Sequence, residues 1–506
     1  MSVSSSSSFR RVRTSAVPLR PWALLSAALA AVLVAAACSP ETPDDEPTPE
    51  ETNDGDAAQG PRDEFTVVDP AVLGEVGELT TSESVSGVTV ETAVPELPHA
   101  EPLVSELEDI TERIVDDFVA AVPGAESIDV EWALTAVSTE VVGVRLHTVE
   151  KDSDGERSAF ETFWYDAVSG NTADSTELIG NYAALERLAT LVTEEATAEE
   201  GDDGADPDLV WPIARTFDSL GFNAAGDLVA EFDEGLIADP DAGRIHAVVD
   251  RADAEPLLSD LGRRALDAAT SPPQTVDIAQ PPEEPADLRE PPGMIPPADD
   301  ALDCSDEDVD CLALTFDDGP GERTGELLDM LDDHDAKATF FVTGGPADND
   351  HETLRRIYAE GHELGNHTMT HPQLPSLSDS GVVDETEPLQ AIIRRETGYT
   401  PHIMRPPYGA SNAAVQSVMA DAGMAEIMWS VDTLDWKDKD ASVVSDRAIS
   451  GAHPGGIILF HDIHSTTIDA MPDILEALEE DYQLVTVTQL LGDTEPGEVY
   501  ESDDDA

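Results

Sequence analysis

The stretch Leu312-Ala313-Leu314-Thr315-Phe316-Asp317-Asp318-Gly319-Pro320 decides how the C-terminal part of this chain folds. A short apolar run followed at once by two carboxylates, a Gly and a Pro predicts a buried strand that stops and turns. Neighbours within a strand point to opposite faces, but at a strand end that turns both carboxylates can converge on one cleft. Working outward, the same unit repeats: apolar runs at 338–342, 403–405, 427–430, 457–460 and 484–487 are in most cases followed by a helical pattern. Examples are Glu326-Leu327-Leu328-Asp329-Met330-Leu331, Asn412 to Ala422 closed by Gly423, and Met471 to Leu478. Alternating strands and helices with buried strands predict parallel α/β structure over residues 301–492, a distorted (β/α) barrel of about seven strands. Sites in such a barrel lie just after the strands.

The unusual residues stand at those positions. Close carboxylates repel and raise one pKa unless a cation intervenes, so Asp317-Asp318 suggests a metal with an adjacent base. Asn366-His367-Thr368-Met369-Thr370-His371 puts two imidazoles at i and i+4, one face of a helical turn, after a run at 362–364 that could be a strand. Two His and one Asp make a metal site with a position open for water. A His pair at this spacing is often only polar surface; the double Asp in the same region gives it weight. Arg405-Pro406-Pro407-Tyr408-Gly409, Ser430-Val431-Asp432-Thr433-Leu434-Asp435-Trp436 and Gly456-Ile457-Ile458-Leu459-Phe460-His461-Asp462 each close an apolar run. Singly they could be an ion-paired Arg, a core Trp and a core His. In this order and together they call for a site.

These motifs resemble, all five and in order, those of the NodB-type polysaccharide deacetylases, carbohydrate esterase family 4. The resemblance implies that Asp318, His367 and His371 bind a divalent metal, usually zinc, with cobalt or another divalent ion as the alternative. It makes Asp317 the general base for the attacking water, oriented by Arg405, and His461 the general acid that protonates the leaving amine, with Asp435 in support. The backbone N–H of Tyr408 would help hold the oxyanion, and Trp436 and Leu459 would line the acetyl pocket. His351, His362, His453 and His464 match no role and read as structural or solvent-facing.

The chain has 506 residues, with 26 Lys and Arg against 107 Asp and Glu, a net charge of −81. Nucleic acid and anionic lipid surfaces would repel it. Its lysines are only Lys151, Lys337, Lys437 and Lys439. Four arginines (Arg10, Arg11, Arg13, Arg20) precede an apolar run from Trp22 to Ala37, the layout of a signal peptide over residues 1–37. Val34-Ala35-Ala36-Ala37-Cys38 resembles a lipoprotein cleavage box, which would make Cys38 the lipidated residue; an ordinary secreted protein or an uncleaved anchor are the alternatives. Membrane contact is expected only through this anchor, on the outer face of the cell membrane, since no later stretch is apolar enough to span a bilayer. Cys304 and Cys311 are left as a pair and, outside the cytoplasm, read as a small disulfide loop rather than a metal site.

Residues 38–62, acidic and Pro-rich, read as a tether, 271–300 as a stiff Pro-rich linker, and 493–506 as an acidic tail. Residues 63–270 form a separate α+β region, with a helix over Leu103 to Val122, a strand over Val141 to Leu146 and a solvated acidic loop from about Glu194 to Asp208. No catalytic constellation stands there. Phe163-Trp164-Tyr165-Asp166-Ala167-Val168-Ser169-Gly170, Ala225 to Phe232 and Ala242-Gly243 resemble the extracellular domain of the anti-sigma factor RsiV. The reading that follows is a metal-dependent deacetylase of an amino-sugar polymer, cell-wall peptidoglycan (GlcNAc or MurNAc), at the cell envelope. The alternatives are a chitooligosaccharide or acetyl-xylan deacetylase, and a wall-binding sensor with a non-catalytic barrel.

Overall fold

In the computed structural model, which describes residues 12–13, 62–74, 76–199, 205–239, 242–282, 285–286, 292, 304–306 and 309–503, the N-terminal region is built on one large sheet. Strands β1 (Gly77–Val85) and β2 (Val88–Glu96) form a hairpin, and helix α1 (Glu101–Ala121) crosses to β3 (Ser127–Val137), β4 (Val141–Lys151), β5 (Glu156–Asp166) and β6 (Asn171–Asp174). Leu103, Leu107, Ile110 and Phe118 seat α1 on one face, against Val90, Val130 and Val144. The other face, through Ala136, Val141 and Trp164, packs on α2 (Tyr182–Glu199), α3 (Asp260–Thr270) and a small antiparallel sheet of β7 (Leu220–Phe222), β8 (Leu228–Phe232) and β9 (Ile245–Val249). Two expectations change here. Helix α2 runs through Glu199, into the stretch expected as a loop, because its apolar face continues through Leu188 and Val192. The first part of the expected linker is docked: Ile278 is buried in the core beneath α1, and the Val276 and Ala279 amides donate to Val72 and Thr139 carbonyls.

The C-terminal region is an all-parallel sheet. Its strands are β10 (Cys311–Asp317), β11 (Thr339–Val342), β12 (Glu363–Asn366), β13 (Ile403–Met404), β14 (Ala425–Ile427), β15 (Val431–Asp432), β16 (Ile457–His461), β17 (Gln483–Val485) and β18 (Val499–Tyr500). They run in the order β15-β16-β10-β11-β12-β13-β14-β18, with β17 also on β10. Every residue of β10 is buried, as expected of a parallel strand covered on both faces. Phe316, next to its end, stacks between Phe340 and Phe460 at 5.1 and 5.4 Å. Helices α4 (Thr324–Asp333), α5 (His351–Ala359), α6 (Asp379–Thr397), α7 (Ala413–Asp421), α8 (Asp435–Asp438), α9 (Ala441–Gly451) and α10 (Ser465–Leu478) connect the strands. Asn412 caps α7 by accepting from the Ala414 and Val415 amides, and Ser378 caps α6 through Gly381.

The sheet holds nine strands rather than seven, and the added closure comes from the end of the chain. Residues expected as an acidic tail supply β18, parallel to β14, and Ser502 then bridges Gly456 just before β16. Tyr500 is buried there, which anchors an otherwise acidic segment. Cys304 and Cys311 are disulfide-bonded, with Cα atoms 5.8 Å apart at the start of β10.

The two regions touch. Ile213 is buried in the core of the C-terminal sheet, Arg395 makes a bidentate pair with Glu150 at 2.8 Å, and Arg394 pairs with Asp117 on α1. The expectations for Cys38 and for the tether to residue 61 lie outside the described residues, as does the leader apart from 12–13. Among the described residues no helix is long and apolar enough to cross a membrane.

Candidate active site

The geometry begins with the end of β10. Asp317 closes the strand and is buried, while Asp318 takes a left-handed backbone, φ 73°. That change of hand lets successive side chains face the same space, which an extended strand would forbid. Asp317 Oδ1 accepts from Arg405 Nη1 at 2.7 Å. Arg405 is fully buried after β13; it also donates to Thr315 Oγ1 at 2.8 Å and to the carbonyls of Ile427 and Met428, and it stacks over Phe341 at 4.2 Å. A guanidinium held on that many sides has one place to go, so the Asp317 carboxylate is fixed with it.

His367 follows β12. Its Nδ1–H donates to the Arg405 carbonyl at 2.6 Å, which leaves the Nε2 lone pair facing the carboxylates. Nε2 is 3.6 Å from Asp318 Oδ1, and His371 Nε2 is 3.4 Å from the same oxygen. Ligand atoms of Asp318, His367 and His371 all lie within 4.8 Å of one another. Two imidazole nitrogens and one carboxylate oxygen, with the tautomer of His367 set by a backbone carbonyl, fit a divalent ion such as zinc. Burial holds His367 below the usual histidine value and so keeps it neutral, as a ligand must be, with the neighbouring His371 adding to the shift against the pull of Asp317 and Asp318. The pair is not on a helical turn as the spacing predicts. Thr368 and His371 are both left-handed, φ 70° and 58°, and the loop is shaped from outside: Asn366 Oδ1 accepts from the Thr368 amide, and Glu385 on α6 accepts from the amide and hydroxyl of Thr370 at 2.8 and 2.7 Å.

Beside this set stands His461, the residue of β16 in register with Asp317. Its Nδ1 bonds Asp435 Oδ1 at 2.8 Å and its amide donates to Asp435 Oδ2 at 2.7 Å. Asp435 accepts as well from Thr467 Oγ1 and the Trp436 amide, and is wholly buried. Burial would lower His461, but the hydrogen bond and charge of Asp435, with Asp317 and Asp318, raise it to about 9, so the ring carries its proton at neutral pH. Burial would raise Asp435; the His461 bond and charge, with Thr467, outweigh it and hold the carboxyl below its usual range.

A polysaccharide deacetylase family model matches residues 305–427. The chain is 41% identical over 184 residues to "Peptidoglycan-N-acetylglucosamine deacetylase PgdA" of Listeria monocytogenes (serotype 1/2a, strain 10403S), covering 36% of this chain and 39% of that protein. It is 42% identical over 181 residues to "Peptidoglycan-N-acetylmuramic acid deacetylase PdaC" of Bacillus subtilis (strain 168), covering 35% of this chain and 38% of that one. With a "Chitooligosaccharide deacetylase" of Rhizobium leguminosarum bv. trifolii it shares 41% over 154 residues, 30% of this chain but 71% of the relative. The chain belongs to the polysaccharide deacetylase family. It spans under two-fifths of the length of the Listeria and Bacillus relatives, and its N-terminal region lies outside the matched family model.

Of the remaining predicted residues, Tyr408 touches the donor set, while Trp436 follows Asp435 and Leu459 lies two residues before His461 on β16. Tyr408 is left-handed, φ 62°, exposed, and packs edge-on against His371 at 4.5 Å. Trp436 is half-exposed at the start of α8, and Leu459 is buried on β16. Of the histidines set aside, His362 is buried under β11 and accepts from the Ala338 amide, and His351 pairs with Glu396. His464 is nearer than expected, its ring 5.9 Å from that of His461. Sequence reasoning missed Asp462. This carboxylate is buried under the turn after Asp318, takes the Thr324 hydroxyl and is pushed up to about 6 by burial. A Cβ on Gly319 would collide with it, which explains the glycine. Its place beside His461 was the available signal.

Proposed function

We propose that this protein removes N-acetyl groups from an amino-sugar polymer, with peptidoglycan as the substrate. The observation that carries the reading is that Asp317, fixed by Arg405, and His461, held by Asp435, stand in register on neighbouring strands beside the Asp318–His367–His371 donor set. A zinc or similar divalent ion held there would supply Lewis acidity, polarising the acetyl carbonyl and lowering the pKa of the attacking water. Asp317, held by Arg405, accepts the proton of that water as it attacks the carbonyl carbon. The Tyr408 N–H stabilises the oxyanion, with one such donor commonly worth about 3 kcal/mol. His461 then gives its Nε2 proton to the amide nitrogen, the C–N bond breaks, and the free amine and acetate leave. Asp435 keeps His461 oriented and charged, and Trp436 and Leu459 enclose the methyl group.

Peptidoglycan is favoured by the names of the Listeria and Bacillus relatives and by the leader-like N-terminus. We propose that the chain is exported, lipidated at Cys38 in the manner of actinobacterial lipoproteins, and held at the outer face of the cell membrane by that anchor. We propose too that residues 63–270 are an RsiV-like extracellular domain. Acetate release from peptidoglycan, chitin oligomers and acetyl-xylan tests the reading, and mass spectrometry of digested treated peptidoglycan assigns the loss to GlcNAc or MurNAc. Release from acetyl-xylan alone would overturn it, and release from none would favour a wall-binding sensor.

A further inference from the structure

Residues 301–506 contain seven arginines and three lysines in a strongly acidic chain. Each of those arginines is paired with a carboxylate, and Lys337 donates to the Glu360 carbonyl at 2.8 Å. Lys437 and Lys439 remain, with no ion pair or side-chain hydrogen bond among the described residues. Both stand in Asp435-Trp436-Lys437-Asp438-Lys439-Asp440, the loop that carries the exposed Trp436 beside His461.

The three acids of this segment have partners of their own. Asp435 is buried under His461, Asp438 pairs with Arg447, and Asp440 caps α9 by accepting from the Ser442 amide and hydroxyl at 3.1 and 2.7 Å. The carboxylates are thus turned to partners in the fold while the ammonium groups are exposed. Lys437 and Lys439 stand two and four residues after Asp435, the carboxylate bonded to His461, and Lys439 ends α8 in a left-handed backbone, φ 48°. An anionic polymer would be repelled by most of this surface, so unpaired cations at the cleft mark where one could be received.

We propose that Lys437 and Lys439 receive a carboxylate carried by the glycan beside the acetylated sugar, and so make the enzyme prefer an anionic strand to a neutral one. This rests on the deacetylase reading above. A mobile ammonium suits a ligand whose carboxylate position varies along the strand, because it acts as a point charge rather than a bidentate fork.

The test uses the full chain and three probes: tetra-N-acetylchitotetraose, a peptide-free glycan strand with free lactyl carboxylates, and the same strand carrying its peptides. In K437Q/K439Q the ratio of kcat/KM on a carboxylated strand to that on the neutral oligomer should fall about threefold to tenfold, the size expected of two exposed ion pairs, and through KM. The salt sensitivity of that ratio should fall with it, and K437R/K439R should restore both. A loss on the peptide-free strand alone assigns the lactyl carboxylate, which the peptide-bearing strand holds as an amide; a loss on the peptide-bearing strand alone assigns a peptide carboxylate; a loss on both shows that the lysines receive either. An unchanged ratio on both strands, or an equal fall on all three probes, overturns the proposal. Strand binding is measured alongside: if no probe releases acetate the deacetylase reading fails, while lysine-dependent, salt-sensitive binding still decides this one.

Discussion

In the proposed reaction Asp317 and His461 divide the labour, and their surroundings say how. Water attack needs the base whatever the leaving group, so Asp317→Asn should damage amide and aryl-ester substrates alike. An amine departs poorly unless protonated, whereas a phenolate needs little help. His461→Ala should therefore lose about 10²- to 10⁴-fold on an N-acetyl sugar and much less on an aryl acetate. Equal losses on both substrates, with metal content intact, would remove the acid role. Because His461 is raised to about 9, activity on the amide should fall as pH rises through about 9. Asp435→Asn should move that limb down, because burial, the largest influence on His461, would then be opposed only by the charges of Asp317 and Asp318. The same shift contributes stability that is complete below the unfolded value and lost as pH climbs through the folded one, so the native protein should also melt lower above pH 9.

At the scale of elements, helix α6 has two jobs. Its inner side holds the ligand loop through Glu385 and through Gln390, whose amide oxygen meets Asn366 at 3.2 Å. Removing an outer support of a ligand loop commonly costs 10- to 100-fold in metal affinity, so Glu385→Ala should weaken zinc binding by about tenfold in a chelator competition. Retained affinity would show that the loop holds its own shape. The Cys304–Cys311 bond closes a short loop at the start of β10, worth about 2 to 3 kcal/mol at most. Reduction should lower the melting temperature without abolishing acetate release; unchanged melting would mean that the hydrophobic start of β10 already fixes the loop.

These elements also show what a sequence reveals. Buried strands ending in Asp, His or Arg could be read because a parallel strand is a continuous apolar run with its chemistry at one end. The ligand loop was misread as helical because i, i+4 spacing fits any turn that brings His367 and His371 together, and only Glu385 and Asn366, remote in sequence or silent in pattern, dictate the left-handed form. Strand β18 was missed because Val499–Tyr500 is too short to show a period and sits among acids.

At the scale of the molecule, the N-terminal region is fastened to the outer side of α6. Arg394 reaches Asp117, Arg395 reaches Glu150, and Arg215 donates to the Arg395 carbonyl at 2.7 Å. Nothing local announces such pairs, since partners stand hundreds of residues apart. Asp117 is buried, so Asp117→Ala should strand Arg394 and destabilise the protein by about 2 kcal/mol, below the 3 to 5 of a fully buried pair because Arg394 keeps some contact with solvent. Denaturant midpoints measure this, and a change under about 0.5 kcal/mol would mean that Arg395–Glu150, Arg215 and the apolar contact around Ile213 hold the regions together without it.

Left-handed backbone has a further consequence. Among the described residues nine non-glycine positions have positive φ, and Asp318, Thr368, His371, Tyr408, Leu434 and Lys439 are six of them, all in the Asp318, His367–His371, Tyr408 and Trp436 segments. Such conformations cost about 1 kcal/mol or more each for ordinary side chains, and Asp318 stands next to a second carboxylate. Without its ion the cleft is therefore a load on the fold. Asparagine tolerates the left-handed region and carries no charge, so in chelator Asp318→Asn should melt above the native sequence while being inactive. A native apoprotein that melts as high as the variant would show that the load is carried elsewhere. If the variant wins, a lineage released from selection for catalysis would drift first at these positions, and its decay would show as added heat resistance before any loss of fold.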